Sequence, residues 1–459
     1  MTASTRAAAM IGARMDRLPM TRAQLGMFVL LAIFSVFELG DLNTFAYATP
    51  GLIKTWGLTV PVIGQITSLT FLGLFLGAWL GGYLADRWGR RILLIATIAW
   101  FSVFSLLNAV VQTPGQLEVT RFLTGMGLGS EIINTWTYMG EMFPKTHRGR
   151  YQSLIFALGL IGIPLMAWWA RTVVPTGPDG WRFVFVAGAI GLLTLPFIGA
   201  NIPESPRWLD TKGRHDEADQ VLKRIEARIE AMTGRRLPEP VPEAVGETVA
   251  AVPVGELFQQ RLIRRTVVVT LGMMASILGF YGFSAWVPTL LVKSGYTELQ
   301  SLTYTSIISL GAPVGAILAW PVTDRFGRRA MVGVVAFAIA LFVLLYGMKF
   351  SVAAVLVFGF LVALFLQTQT TLFYAYAAEV FPTHVRSTGW GFANGMGRLA
   401  NVAGGVLVAA IYGGLGYMAV FVFVALMFVV EGLVVLVWGE QTAKRSLEEI
   451  NAAAAAPSG

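Results

Sequence analysis

The sequence predicts an all-α membrane protein of twelve transmembrane helices, arranged as two six-helix halves related by a pseudo-twofold axis along the membrane normal. Three observations lead there: a strongly apolar composition, twelve helix-length apolar stretches, and a set of motifs that recurs at one fixed offset. The 459 residues are 55% hydrophobic and 13% charged, with a mean hydropathy of +0.66, whereas an ordinary soluble domain carries roughly 25% charged residues. The formal charge is +8, but the cations sit in short runs between apolar stretches. That distribution reads as membrane topology and argues against a nucleic-acid partner. With no cysteine, a disulfide framework, a thiol nucleophile and a thiolate metal site are all excluded. Ala46-Tyr47-Ala48 mimics a signal-cleavage site, yet the apolar stretch before it is too long for a signal h-region and holds Glu38 and Asp41, so it reads as a retained first span.

A hydrocarbon core about 30 Å thick needs roughly 20 apolar residues of helix. Stretches that meet this run near 24–49, 61–83, 92–112, 115–140, 150–172, 181–202, 264–290, 300–321, 330–348, 352–376, 387–411 and 415–438. The one long polar interval, 203–263, is rich in proline and includes an amphipathic segment, Arg207 to Met232, with Leu209, Val221, Leu222, Ile225 and Ile229 on one stripe. The predicted organisation is therefore an N-terminal half over 1–202, a linker over 203–263, a C-terminal half over 264–440 and a tail over 441–459. With the N-terminus inside, the short inner segments hold 16 Lys and Arg, and the linker together with Arg264 and Arg265 at the start of span 7 holds 11, against five outside: Lys54, Arg171, Arg182, Lys293 and Lys349. Both termini are thus expected in the cytoplasm.

Asp86-Arg87-Trp88-Gly89-Arg90-Arg91 after span 2 recurs 238 residues later as Asp324-Arg325-Phe326-Gly327-Arg328-Arg329 after span 8. Glu141, Phe143, Pro144 and Arg148 recur at the same offset as Glu379, Phe381, Pro382 and Arg386, and Gly73 and Gly77 as Gly311 and Gly315. Three coincidences at one offset imply duplication. An offset carrying six spans makes the copies parallel, the arrangement that permits rocking about a central site. Glycines spaced by four let helix backbones approach closely, which is ordinary helix packing. The paired Asp, Gly and Arg loops exceed what topology needs. Asp beside Arg in a tight turn can exchange charge-assisted hydrogen bonds with Glu141 or Glu379, forming a latch on the cytoplasmic side.

On these loops, and over about 24–450, the sequence resembles the major facilitator superfamily. Pro203-Glu204-Ser205-Pro206-Arg207-Trp208-Leu209 after span 6 and Arg121-Phe122-Leu123-Thr124-Gly125-Met126-Gly127-Leu128-Gly129 in span 4 resemble motifs of the sugar porters and their metabolite-transporting relatives. Glu131, with Glu141-Met142-Phe143-Pro144 and Arg148-Gly149-Arg150-Tyr151, is more similar to the niacin and aromatic-acid proton symporters. Sugar porters carry a Gln-rich span 7, whereas this span reads Phe280-Tyr281-Gly282-Phe283-Ser284-Ala285-Trp286. The resemblance implies secondary transport from the inner membrane, by a monomer whose partners are a small-molecule substrate, a proton and the lipid bilayer. It implies no cofactor or metal.

An ionisable side chain at membrane depth is expected to be paired or to face a water-filled cavity. Asp41 lies 17 residues into span 1 and Arg121 about 19 from the inner end of span 4, so at about 1.5 Å per residue their depths differ by only a few ångströms. A purely structural ion pair is one reading; by resemblance to superfamily symporters, the pair couples protons. Protonating Asp41 would neutralise it and release Arg121. Glu38, three residues earlier and on much the same face, is an alternative proton carrier, and Glu131 a further coupling candidate. Glu431 on span 12 reads as structural. Arg398 has Asn394 and Asn401 at helical spacing; a polar stripe around a planar cation can take a carboxylate bidentately. In organic-anion relatives a cation at this level favours anions, so the resemblance implies an aromatic or heteroaromatic carboxylate such as nicotinate or benzoate. Tyr281, Trp286 and Tyr374, with Gln367, Gln369 and Asn134, would suit a flat, partly polar ligand; individually such aromatics are as often packing residues. Three histidines without metal spacing and the absence of a phosphate-cradling loop argue against an enzyme. A sugar or polyol carrier, and a non-transporting receptor on the same scaffold, are the alternatives.

Overall fold

The computed structural model describes residues 3–241, 253–325, 327–382 and 385–441, without the side chains of 3–8, 23 and 320–325. The Asp324 and Arg325 side chains, part of the linker and nearly all of the 441–459 tail therefore lie outside the described residues. The chain begins with α1 (Ala3–Asp16) and enters its first crossing as α2 (Arg22–Asp41) and α3 (Thr44–Trp56). Then follow α4 (Val60–Trp88), α5 (Arg90–Asn108), α6 (Pro114–Met142), α7 (Arg148–Gly159) with α8 (Gly162–Val173), and α9 (Arg182–Gly188) with α10 (Gly191–Asn201). The linker holds α11 (Pro206–Thr211) and α12 (His215–Thr233). The second half runs through α13 (Gln260–Ser284) with α14 (Val287–Lys293), α15 (Glu298–Ser309) with α16 (Gly311–Arg325), α17 (Arg328–Gly347), α18 (Val352–Val380), α19 (Arg386–Leu415) and α20 (Tyr417–Trp438). Eleven of these crossings are long and apolar enough to span a membrane. The twelfth, α6, is less apolar because it carries Glu118, Arg121, Glu131 and Glu141.

Five crossings expected as single helices are broken in two, and proline explains three of the breaks. A proline lacks the N–H that would bond the carbonyl four residues back. Pro164, Pro288 and Pro313 cannot donate to the carbonyls of Leu160, Ser284 and Ser309, at or next to the residues where α7, α13 and α15 end. The break at Leu42–Asn43 has no such proline. There the freed carbonyls are taken up by side chains: Asn43 Nδ2 donates to the Leu39 carbonyl at 3.0 Å and Thr44 Oγ1 to the Asp41 carbonyl at 2.7 Å. The amphipathic stripe of the linker is also two helices, separated by Gly213 at φ 73°, a conformation glycine adopts without strain.

The repeated glycines do the same work in both halves. A Cβ on Gly73 or Gly77 would collide with the backbone of Phe122 and Met126 on α6, and one on Gly311 or Gly315 with Phe360 and Leu364 on α18. Without a hydrophobic drive between helices in lipid, such backbone contact is a main source of their association. Where the halves meet, Gly64 of α4 crosses Gly405 of α19, and Ser68 Oγ accepts the Val406 N–H at 3.1 Å. Further contacts join the halves on the face opposite the termini: Lys54 pairs with Glu298 at 3.2 Å, and Arg171 Nε donates to Thr303 Oγ1 at 2.9 Å.

On the face that carries the termini, α1 packs on α11 and α12, a helix the sequence reading did not anticipate. Ile11, Met15 and Leu18 join Trp208, Leu209, Ala218, Leu222 and Ile229 in one apolar cluster. Around it Arg14 forks onto Glu226 (2.9 and 2.7 Å) and reaches Asp219 at 2.6 Å, and Arg17 bonds Glu226 at 2.6 Å. Burial pushes the Glu226 carboxyl up, but Arg14 and Arg17 outweigh it and hold the group below its ordinary value.

Candidate functional site: a central cavity with acids on one wall and an arginine on the other

A cavity of about 530 Å³ lies between the halves, within the range of small-molecule sites. Its lining reaches within about a turn of the terminal-face ends of α6, α7 and α19, at Met139, Gln152 and Trp390. Toward the opposite face it stops nearly two turns or more short of the ends of α3, α14 and α15, at Tyr47, Val287 and Thr305.

The N-terminal wall presents Glu38 on α2. Its carboxyl lies within hydrogen-bonding reach of the Glu131 carboxyl on α6 and in the field of Arg398 across the cavity. A hydrogen bond between two carboxyl groups requires a shared proton, and low dielectric forbids ionising both cheaply. Thr135 Oγ1 donates to Glu131 Oε1, while Glu131 Oε2 is buried without a hydrogen-bond partner. The C-terminal wall presents Arg398, half-buried, with Nε donating to Asn394 Oδ1 at 3.2 Å. Tyr281, Tyr374, Gln367 and Trp390 line the same wall, and Tyr374 meets Trp390 edge-on at 5.8 Å. Asn401 faces a recess of about 40 Å³ behind Arg398.

Asp41 is separated from this wall. The helix that carries both acids ends at Asp41, and a spacing of three residues leaves the side chains about 60° apart, so Glu38 enters the cavity while Asp41 points into the N-terminal half. Asp41 Oδ1 accepts from Ser105 Oγ at 2.9 Å and from Thr44 Oγ1 at 3.1 Å, and Thr44 Oγ1 in turn accepts from Arg121 Nη1 at 3.2 Å. Asp41 and Arg121 are thus neighbours bridged by a hydroxyl, both at 0% exposure. Gly188 completes the pocket, since a Cβ there would strike Asp41 Oδ1 and Ser105 Oγ. Thr44, Ser105 and Gly188 escaped the sequence reading, although Thr44 stands three residues from Asp41.

Three other expected cavity residues lie elsewhere. Trp286 is 1% exposed and packs where α13 gives way to α14. Asn134 Nδ2 donates to the Arg90 carbonyl at 2.9 Å, and Gln369 Nε2 donates to Glu431 Oε1 at 2.8 Å inside the C-terminal half. Asn134 and Gln369 each face another helix of their own half, because a polar side chain deep in a span takes the partner nearest to it.

The repeated loop residues pair within each half. Arg90 bonds Glu141 at 3.0 Å and Asp86 at 2.8 Å, and Arg328 pairs with Glu379. Glu204 of the Pro-Glu-Ser-Pro-Arg segment accepts the N–H groups of Arg90 and Arg91 at 2.9 and 3.1 Å, satisfying the start of α5. Gly89, at φ 106°, leaves room for that carboxylate. Arg91 reaches the Gly199 carbonyl at 2.6 Å, Arg329 the Leu436 carbonyl and Arg386 the Phe381 carbonyl at 3.4 Å, while Arg87, Arg148 and Gly327 are exposed.

Twelve crossings in two parallel halves around one cavity define a membrane transporter of the major facilitator type. The chain belongs to the sugar (and other) transporter family of that superfamily, whose pattern matches residues 23–454. It is 39% identical over 430 residues to the "Putative metabolite transport protein YyaJ" of Bacillus subtilis, covering 94% of this chain and 95% of that one. The niacin transporter NiaP of Acinetobacter baylyi is 28% identical over 95% of this chain and 98% of its own, and a gallate transporter of Pseudomonas putida 29% over 92% and 94%. The inward-open xylose transporter XylE of E. coli shares the fold, with a TM-score of 0.71 at 19% identity over 93% of this chain and 99% of that one. The family and these relatives are transporters, not enzymes.

Proposed function

We propose that this protein is a proton-coupled symporter of a small organic anion, an aromatic or heteroaromatic carboxylate, working by alternating access. One arrangement carries the reading: the Arg398 guanidinium on one cavity wall faces Glu38, itself within hydrogen-bonding reach of Glu131, on the other. An ionised Glu38 and a substrate carboxylate compete for the field of the same cation. A proton on the Glu38–Glu131 pair removes that competitor and leaves Arg398 to fork onto the substrate. Substrate anion and proton then load together with no net charge, which keeps the cost of carrying them through a low-dielectric barrier small. Tyr281, Tyr374 and Trp390 offer faces and edges to a flat ring. The niacin and gallate transporters named above are relatives whose substrates have this chemistry.

Asp41 and Arg121 form a second proton-sensitive pair, with Thr44 as the bridge. The basic terminal face is taken as cytoplasmic, so the cavity faces inward and the Lys54–Glu298 side is the closed outer gate. The halves 1–202 and 264–440 rock about the 203–263 linker, and the Arg90–Glu141 and Arg328–Glu379 pairs hold the inner helix ends of each half.

Proteoliposome uptake of nicotinate, benzoate and gallate, with and without an imposed pH gradient, tests the reading. Accumulation against a gradient that collapses when the pH difference is removed is expected. Binding without flux would instead make the protein a receptor. Xylose uptake in place of carboxylate uptake would move the substrate to the sugars and polyols, whose recognition needs no cation.

A further inference from the structure

One buried acid plays no part in the substrate cavity. Glu431 on α20 has 0% exposure. Its Oε1 accepts Gln369 Nε2 at 2.8 Å, and the Ser276 hydroxyl is also within hydrogen-bonding reach of the carboxyl. Its Oε2 is buried with no hydrogen-bond partner. Gln369 spends its other N–H on the Val332 carbonyl at 3.1 Å, so both amide hydrogens are used while Gln369 Oε1 is left buried and unpartnered. Two unpartnered acceptors thus sit in one buried cluster whose amide hydrogens are both spent. The deficit is one proton, and a protonated Glu431 supplies it.

The surroundings offer no other remedy. From α13 the group that faces Glu431 is Ser276, from α18 it is Gln369, and from α17 the Val332 carbonyl completes the amide. No cation acts on the carboxyl among the described residues. Arg329 is engaged with the Leu436 carbonyl nearer the end of α20, Arg264, Arg265, Arg328 and Glu379 lie at or near helix ends, and Arg398 of α19 faces the cavity. An ionised carboxylate with only neutral donors about it at this depth is strongly disfavoured.

The repeat gives the cluster its meaning. Ser276 and Gln369 stand 238 residues after Glu38 and Glu131, and Pro288 stands at the same offset from Pro50. The first and fourth spans of each half therefore bring the same two positions together. The N-terminal half fills them with two carboxyls, and the C-terminal half with a hydroxyl and an amide around an acid from the last span. Ser276 also lines the substrate cavity.

We propose that Glu431 is a third proton-binding site, held as the neutral acid by its burial beside the unpartnered Gln369 carbonyl and exchanging its proton with the cavity through Ser276. It does not depend on the identity of the substrate. The test uses the purified full chain in lipid nanodiscs with no substrate added. Infrared difference spectra across an alkaline titration are expected to show a carboxylic-acid carbonyl band that fades as pH rises and is missing in Glu431→Gln. Ser276→Ala should keep the band and slow its loss. In parallel, dicyclohexylcarbodiimide, which modifies protonated carboxyls in apolar surroundings, should label Glu431 of the wild-type chain at neutral pH and lose that labelling at high pH, read by peptide mass spectrometry. A band that survives the whole titration, or spectra of wild type and Glu431→Gln that coincide, overturns the site. If Glu431→Gln fails to fold, the wild-type labelling decides: absence of an adduct on Glu431 rejects the proposal.

Discussion

The crossing of Gly64 and Gly405 sets a measurable limit on the closed outer gate. In Gly405→Ala the new Cβ would stand 2.5 Å from the Gly64 carbonyl oxygen, 2.7 Å from Ser68 Oγ and 2.9 Å from the Ser68 nitrogen. Ordinary contact begins near 3.4 Å, so α4 and α19 must part by nearly an ångström at a point where both neighbours are backbone or a short side chain. Overpacking of this kind costs about 1–3 kcal/mol, which lowers the population of the outer-closed state by about 5- to 150-fold. The chain has no cysteine, so a single introduced thiol reports alone. Thr305→Cys serves, because Thr305 is 4% exposed and lines the cavity beneath the closed gate. An impermeant maleimide applied from the outer side reaches it only when the gate opens, so its rate follows that population. Gly405→Ala and Gly64→Ala should both raise the rate within that range, while Gly413→Ala on the same helix, with nothing within 4 Å of its Cβ, should leave it unchanged. Equal rates in all three would refute the view that this crossing holds the gate shut.

Arg398→Ala should weaken nicotinate or benzoate binding by about 10- to 150-fold, the worth of a charged hydrogen-bonded contact at about 1.5–3 kcal/mol, with Arg398→Lys intermediate because it keeps charge but loses the fork; equal affinities in equilibrium binding would remove the anion reading's main support. Glu38→Gln should keep carboxylate binding but flatten its dependence on pH, and a binding curve that still steepens on acidification would shift the proton elsewhere. Asp41→Asn should abolish gradient-driven accumulation while counterflow exchange continues, and Gly188→Ala, which pushes a methyl group onto Asp41 and Ser105, should mimic it in part; unaltered accumulation in both excludes Asp41 from coupling. Docking of α1 should depend on acid but not on mild pH change. The Glu226 and Asp219 carboxyls are held below their ordinary values, so their contribution is complete above about pH 5 and is lost as pH falls through the depressed values. A fluorophore on Ala9→Cys should stay immobile from neutral pH down to about pH 5 and be freed in Glu226→Ala at neutral pH; equal mobility in both proteins would show that the apolar cluster alone seats the helix.

The parts of this molecule that follow from composition and periodicity were legible in the sequence. Apolar stretches mark all twelve crossings, and the 238-residue offset marks the duplication because each copy must solve the same loop and helix-packing problem. Contacts between spans were not legible. Glu38 and Asp41 look equivalent on a helical wheel, yet the helix stops at Asp41 and sends them to different neighbours. Asn43 and Thr44 stabilise that stop through side-chain hydrogen bonds, with no proline to announce it. Trp286, Asn134 and Gln369 have the composition of cavity residues, yet Trp286 is buried at a helix break and Asn134 and Gln369 face their own half, a matter of which helix lies opposite. Ser105 and Gly188 are small residues in apolar spans, and only the third dimension brings them to Asp41. The α1 helix had a readable apolar spacing at Ile11, Met15 and Leu18, hidden because a short segment before a strong first span invites no separate reading.

The two halves share a backbone plan but divide the chemistry, and that division fits the proposed cycle. The acids that face the cavity or its hydroxyl bridges, Glu38, Glu131 and Asp41, all belong to the N-terminal half, whereas the cation that faces it, Arg398, belongs to the C-terminal half. Rocking of one half against the other therefore changes the distance between proton site and anion site, and with it the energy of every mixed protonation state. An empty, deprotonated carrier keeps Glu38 attracted to Arg398 across the cavity, while a carrier loaded with both proton and carboxylate has that attraction replaced by the substrate. Both forms are electrically balanced and free to reorient. A carrier loaded with only one of the two is unbalanced by a full charge in a low-dielectric cavity, and is held back. The cavity's part in coupling on this scheme needs no specialised relay, and the Asp41–Arg121 pair adds its own proton-sensitive step inside the N-terminal half. The cavity's part follows from placing an acid and an arginine on opposite sides of the moving interface, with a neutral amide and hydroxyl at the repeat positions where a second pair of acids would have spoiled the balance.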